Sequence, residues 1–85
     1  MNKIEITHHA QKELKKIPLQ FRKSIVEKID QLRADPFPTQ SKKLKDAEGY
    51  RLRVGHFRVL YKVDKKLKLV TIVTAVPRHK AYRKF

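Results

Sequence analysis

The sequence predicts a small α+β domain in which an N-terminal strand and a helical hairpin pack on one face of a small, mostly antiparallel β-sheet. Three observations carry that expectation. A short N-terminal stretch alternates polar and apolar residues, residues 10–32 repeat their apolar positions every three or four, and from residue 50 onward the period returns to two. Helices gathered on one side of consecutive strands are the α+β arrangement. The 85 residues make a single domain, 1–85, and a chain of this size buries roughly 60% of its unfolded surface.

Lys3-Ile4-Glu5-Ile6-Thr7 reads as a half-buried strand. Thr7 then caps a helix whose apolar face is Ala10, Leu14 and Ile17. Pro18 interrupts that helix and suits the first turn of the next. The second helix places Phe21, Ile25, Ile29 and Leu32 on one stripe and stops before Asp35-Pro36-Phe37-Pro38, where two prolines forbid continuation. Residues 39–48 read as a polar linker. Tyr50, Leu52 and Val54 next alternate with Arg51 and Arg53, and Phe57, Val59, Tyr61 and Val63 alternate with Arg58, Leu60 and Lys62. Gly55-His56 between them suits a two-residue hairpin turn with the glycine at positive φ. Asp64-Lys65-Lys66 makes a second turn. Leu67 to Val76 follows, apolar on both faces from Leu69, as a central strand is. Pro77 ends it, leaving Arg78 to Phe85 as a basic tail with room for one helical turn. The element order is β-α-α-β-β-β.

Charge narrows the function classes. Twenty-two Lys and Arg stand against eight Asp and Glu, a formal net charge of +14. A compact domain repels itself at that charge, so a polyanionic partner is expected. Nucleic acid fits best, because each neutralised phosphate releases counterions. A membrane surface fits poorly, since it calls for an amphipathic helix with aromatic or leucine insertion. With no cysteine there is neither a disulfide framework nor a thiolate metal site or nucleophile. No apolar run approaches the roughly 20 residues that span a bilayer. Lys3, Glu5, His8 and His9 break up any N-terminal signal segment, so a soluble, cytoplasmic protein is expected.

The candidate chemistry lies on the arginine-bearing strands. Arg51 and Arg53 share a face by the period of two, and the two-residue turn sets Arg53 opposite Arg58. Neighbouring guanidinium groups repel unless an anion sits among them. Their planar forks match phosphate oxygens in bidentate fashion, and Arg78, at the end of the last strand, completes the cluster. A solvated basic face is the competing reading. Tyr82 and His79 lie in the same basic tail. A tyrosine there stacks on an unpaired base or donates a proton, or simply packs the tail onto the sheet. His79 and His56 titrate near neutrality and suit acid–base roles, or are ordinary surface residues. His8 and His9 point in different directions on a helix and give no metal site. Two glycines exclude a glycine-rich phosphate loop. The scattered acids form no carboxylate cluster, so a nuclease built from these residues is a metal-free one with no cofactor.

The run Leu44-Lys45, then Gly49-Tyr50-Arg51-Leu52-Arg53-Val54-Gly55-His56-Phe57-Arg58-Val59-Leu60-Tyr61-Lys62-Val63, resembles the core signature of RelE-type toxins, and Val76-Pro77-Arg78-His79-Lys80-Ala81-Tyr82 resembles the closing motif of that superfamily. With the helical hairpin, the likeness covers nearly the whole chain. It implies a RelE-like fold and the toxin of a type II toxin–antitoxin system. It also implies a ribosome-dependent endoribonuclease that cuts messenger RNA in the A site through attack of a 2′-hydroxyl on the adjacent phosphate. By the same resemblance Arg58 and Arg78 stabilise the phosphate and assist the leaving group, and Tyr82 orients or deprotonates the 2′-hydroxyl. Arg51 and Arg53 stand where well-studied members have lysines. Arginine stays charged, so Arg51 and Arg53 are expected to bind substrate rather than act as bases. His79 is expected to bind substrate beside them, and proton transfer then falls on Tyr82, on His79 or on no strong base. The same fold also serves ParE-like inhibitors of DNA gyrase, and a ribosome- or RNA-binding module that does not cut is a third alternative. The full arginine cluster with Tyr82 favours the ribonuclease. The expected partners are the ribosome, messenger RNA and a cognate acidic antitoxin wrapped over the basic face. The resemblance further implies a hetero-oligomer that binds operator DNA through the antitoxin.

Overall fold

The computed structural model describes residues 1–45 and 47–77. A five-stranded sheet in the order β1-β5-β4-β3-β2 carries two helices on one face. The strands are β1 (Lys3–Ile6), β2 (Ser41–Lys43), β3 (Tyr50–Val54), β4 (Phe57–Asp64) and β5 (Leu69–Pro77), and the helices are α1 (His8–Lys16) and α2 (Leu19–Gln31). Every pairing is antiparallel except that of β1 with β5. The α+β expectation of a helical hairpin on a mostly antiparallel sheet therefore holds, with the N-terminal strand lying in the sheet beside β5 rather than on its face, and with one addition. Ser41–Lys43, read from sequence as part of a polar linker, pairs with β3 as an edge strand. Three residues with no apolar alternation give no periodic signal, so this strand is visible only through its partner.

Thr7 fixes the entry to the helices. Its hydroxyl accepts the Ala10 N–H at 3.1 Å and donates to the Val73 carbonyl at 3.1 Å. It thus caps α1 and ties the cap to the central strand β5. That carbonyl lies at a register irregularity, where Leu60 pairs with Thr74 but Tyr61 with Ile72. Ile17 leaves α1 in an extended conformation (φ −82, ψ 133), as a residue before proline must. Its carbonyl accepts two bonds from the Arg22 guanidinium, at 3.3 and 3.2 Å, which satisfies a helix end that Pro18 cannot serve. Ile25, Ile29 and Leu32 are buried as the helical period requires, but Phe21 at the edge of that stripe is 44% exposed and packs its ring against Phe57.

The two hairpins differ in how closely the sequence anticipates them. Gly55, at φ +59, and His56 form the two-residue turn, setting Val54 opposite Phe57 and Arg53 opposite Arg58 as expected. The β4–β5 turn is longer. The Asp64 carboxylate accepts the Leu67 N–H at 3.0 Å and Lys68 takes a left-handed φ of 52, so Leu67 belongs to the turn and the strand begins at Leu69.

The sheet separates its faces by the period of two. Leu52, Val54, Val59, Tyr61, Val70, Ile72 and Ala75 join the helical residues in the core. Tyr61 is fixed twice over: its hydroxyl donates to the Pro36 carbonyl at 2.7 Å, and its ring stacks on Tyr50 at 5.7 Å. Burial raises its phenol above the ordinary value, with the Ser41 hydrogen bond opposing that shift. The Gly49 backbone lies so close to this strand that an added Cβ would sit 2.8 Å from the Tyr61 carbonyl oxygen, and its φ of +118 also excludes other residues.

Thr7→Ala should destabilise the fold by about 1–2 kcal/mol in urea unfolding, with Thr7→Ser recovering most of it. Tyr61→Phe should cost about 1 kcal/mol near neutrality by leaving the Pro36 carbonyl unpaired. Because the folded state raises the phenol, the wild type holds this advantage fully below the unfolded tyrosine pKa, about 10. It loses the advantage as pH climbs through the folded value. The gap between wild type and Tyr61→Phe should accordingly narrow only in strongly alkaline solution.

Candidate anion-binding site

The face away from the helices gathers the strand arginines. Register places Lys42 beside Arg51, Leu60 and Thr74 in one row across the sheet, and Arg53 beside Arg58 and Val76 in the next. Directly opposed residues hold their Cβ atoms about 5 Å apart, so like charges meet within the β3–β4 hairpin, Arg53 with Arg58, and where β2 joins it, Lys42 with Arg51. Thr39, Gln40, Lys42, Arg51, Arg53 and Arg58 line a recess of about 180 Å³. The Thr39-Gln40 segment is held against it because the Gln40 carbonyl accepts the Arg53 N–H.

Arg58 sets the character of the site. Its residue is 3% exposed, and among the described residues its side chain makes one hydrogen bond, from Nη1 to the Phe57 carbonyl at 3.3 Å. A guanidinium offers five donors, and a buried charge without a counter-ion is strongly disfavoured. Among the described residues the ion pairs are Lys16 with Glu13 and Arg33 with Asp30, both on the helical side, and no carboxylate reaches Arg51, Arg53 or Arg58. The neighbours of Arg58 on this face, Leu60 and Val76, are buried and apolar, and Thr74 is buried with its hydroxyl unpartnered among the described residues. A low-dielectric floor beneath uncompensated cations strengthens their attraction for any anion that enters.

Three of the arginines expected from sequence are thus brought together. Arg78, His79 and Tyr82 lie outside the described residues. The described chain ends at Pro77, opposite Phe57 and one residue beyond the Arg58–Val76 pair. His56 is separate: it lines a different recess at the hairpin end. Sequence reasoning missed Lys42, Thr39 and Gln40. Lys42 joins the cluster only because β2 pairs with β3, and the short polar run that hid this strand hid the lysine with it. The recess lining includes no carboxylate or imidazole, so it suits an anion rather than a metal ion.

The model of the ParE toxin of type II toxin–antitoxin systems, parDE, matches residues 4–82. The chain belongs to the RelE/ParE toxin superfamily. Among its relatives is a Methanocaldococcus jannaschii protein named as a candidate toxin, RelE1, 32% identical over 84 residues and covering 94% of this chain and 93% of its own. The fold matches the toxin–antitoxin complex RelBE2 of Mycobacterium tuberculosis with a TM-score of 0.82 and 26% identity, over 91% of this chain and 98% of that one. It also matches the archaeal RelE–RelB complex of Pyrococcus horikoshii OT3 with a TM-score of 0.79 and 29% identity, over 91% and 94% of the two chains. These superfamily neighbours agree with the helical hairpin and mostly antiparallel sheet described above.

If Lys42 contributes to the anion site, its removal should be felt in salt dependence. Titration of a short single-stranded RNA at several salt concentrations should give Lys42→Ala a slope of log affinity against log salt shallower by about 0.7 than wild type. Thermal stability should not fall, because the side chain is exposed and its removal relieves the repulsion with Arg51. An unaltered slope would remove Lys42 from the site.

Proposed function

We infer that this RelE/ParE-family chain is a metal-free endoribonuclease that cuts messenger RNA within the ribosomal A site. The single observation that carries this reading is the buried Arg58 among Arg51, Arg53 and Lys42, with no acidic partner among the described residues. In-line cleavage of RNA asks for little covalent participation by the protein. The ribose 2′-hydroxyl gives up its proton to a base as its oxygen bonds to the adjacent phosphorus, the bond to the 5′-oxygen breaks, and that oxygen leaves with a proton from an acid. The products are a 2′,3′-cyclic phosphate and a 5′-hydroxyl. Negative charge builds on the non-bridging oxygens as the phosphorus becomes pentavalent, and preorganised guanidinium donors stabilise that charge more than the ground state.

In this mechanism Arg58 holds a non-bridging oxygen from the desolvated floor, while Arg51, Arg53 and Lys42 grip flanking phosphates. Arg78 neutralises the leaving side, His79 binds beside it, and Tyr82 orients the 2′-hydroxyl. Arginines at positions 51 and 53 leave proton transfer to Tyr82 or His79, because a guanidinium does not give up its proton near neutral pH. A cognate antitoxin is the partner that silences the site. Support comes from the two complexes reported above, in each of which a RelE-type chain is bound to its antitoxin.

A second reading has its own observation, since the matching family model describes ParE toxins. A gyrase inhibitor would act through protein contact and would not need a desolvated phosphate clamp. The deciding experiment incubates the protein with programmed ribosomes and maps breaks by primer extension. Wild type should cut within A-site codons. Arg58→Lys should lower the cleavage rate about 10²–10³-fold while remaining folded, because a point charge replaces a fork aimed at the transition state. Tyr82→Phe should also slow cutting. An intact message together with blocked supercoiling by gyrase would transfer the assignment to the ParE branch, and binding without cutting would leave an RNA-binding module.

A further inference from the structure

The far end of the sheet, beside the β4–β5 turn, holds a recess of about 350 Å³, in the range that small ligands fill. Arg33, Pro36, Phe37, Val63, Lys65 and Lys68 line it, and no carboxylate does. Val63 packs toward the helical core and stands five residues beyond Arg58 on β4. The recess therefore lies ~17 Å from the arginine cluster along the strand, on the opposite face.

A rigid loop presents an aromatic ring to this recess. Pro36 and Pro38 flank Phe37 and fix their own φ angles. The Asp35 carboxylate accepts the Phe37 N–H at 3.0 Å, and the Pro36 carbonyl accepts the Tyr61 hydroxyl at 2.7 Å. The ring meets Tyr50 edge-on at 5.0 Å between centroids, yet Phe37 remains 40% exposed. Packing on Tyr50 accounts for the buried part. The Lys65 ammonium stands over the ring, 5.6 Å from its centroid.

The lysines here are available to a ligand. Arg33 is committed to Asp30 at 2.7 Å, but Lys65 and Lys68 make no ion pair among the described residues. The Asp64 carboxylate beside them accepts the Leu67 N–H. Lys68 sits at φ 52, the one positive φ outside glycine among the described residues. A lysine in a conformation that suits glycine or asparagine better places a cation where those residues have none. Its carbonyl accepts the Lys3 N–H at 2.7 Å, which pins the turn to β1.

We propose that Phe37, Lys65 and Lys68 form a second RNA contact, in which one unpaired base stacks on Phe37 and its flanking phosphates meet the two lysines. An exposed ring beside cations is the combination that holds single-stranded nucleic acid. Magnitudes favour the exchange this requires. Stacking of a base on an aromatic ring strengthens binding roughly ten- to a hundredfold, and an exposed cation over the same ring gives less. A base therefore displaces Lys65 from Phe37, and the freed ammonium, on its flexible stem, reaches the adjoining phosphate. This inference rests on the chain acting on RNA and adds a grip remote from the arginine cluster. Linked contacts raise each other's effective concentration, so RNA that reaches both recesses is held more tightly than RNA in one. A free nucleotide offers the same base and phosphate but gains nothing from that linkage.

Phe37→Trp in the whole chain tests this, because it keeps an aromatic face and adds an emission that a stacked base quenches. Oligoadenylate long enough to span both recesses should quench it, and an abasic ribose–phosphate strand of equal length should bind without quenching. Phe37→Leu should weaken oligoadenylate binding about tenfold and leave the abasic strand unaffected, whereas loss of a merely structural ring would weaken both. The double variant Lys65→Ala, Lys68→Ala should make the slope of log affinity against log salt shallower by about 1.4 for either strand. Adenosine monophosphate should quench only at far higher concentration than the oligomer. Unquenched emission at saturation, equal losses on the two strands with Phe37→Leu, or an unaltered salt slope would each overturn the proposal. Quenching by the mononucleotide as readily as by the oligomer would transfer the recess to small nucleotides. An acidic peptide that changes the emission at lower concentration than the RNA would transfer it to a protein segment. Message cleavage is scored separately. Cutting without quenching sinks only this inference, and quenching without cutting sinks only the ribonuclease reading.

Discussion

The register of the β3–β4 hairpin is the constraint on which the rest depends. Side chains in a strand alternate with a period of two, so a slip of one residue would turn Leu52, Val54, Val59 and Tyr61 to solvent and drive the arginines into the core. The turn at Gly55-His56 excludes that slip, because a two-residue loop with one residue at positive φ admits a single pairing. Core and charge are thus selected together. The aromatic stack of Tyr50 on Tyr61 and the bond from Tyr61 to Pro36 hold the same register from the helical side.

Once the register is set, concentration of like charge follows from it. Arg53 faces Arg58 and Lys42 faces Arg51, an arrangement that opposes folding on electrostatic grounds. The apolar core has to sustain it, and a chain of 85 residues has little stability in reserve. Such strain is tolerated where binding an anion relieves it. Burial of Arg58 sharpens the effect, since a guanidinium held at a desolvated floor is oriented in advance for any anion.

Much of this was legible in the sequence. The helical stripe of Ile25, Ile29 and Leu32, the Thr7 cap and the turn at Gly55 all follow from local periodicity and backbone chemistry, and the structure reproduces them. The facing of Arg53 and Arg58 was legible too, because a tight turn fixes pairing by counting. What escaped depends on contacts between distant segments. Ser41–Lys43 has no pattern of its own and becomes a strand through hydrogen bonds to β3, which is why Lys42 was missed. Leu67 looked like strand because apolarity says nothing about the Asp64 carboxylate that captures its N–H. Phe21 fits the apolar stripe by spacing, yet half of it faces out, since the groove beside Phe57 is left open at the hairpin end.

The parallel pairing of β1 with β5 makes completion of the chain a condition of the fold. Among the described residues Lys3 to Ile6 find their sheet partners only in Leu69 to Ile72, and the Thr7 hydroxyl reaches a carbonyl 66 residues away. The arginine hairpin closes over a short loop, but its buried side also waits for β5, which supplies Thr74 and Val76 beside Arg58. Contacts this remote in sequence slow folding and make it cooperative. A polypeptide broken off before Leu69 would leave Ile4 and Ile6 without a strand to join and Arg58 without its floor. An interrupted translation product of this chain therefore lacks both the closed core and the finished recess.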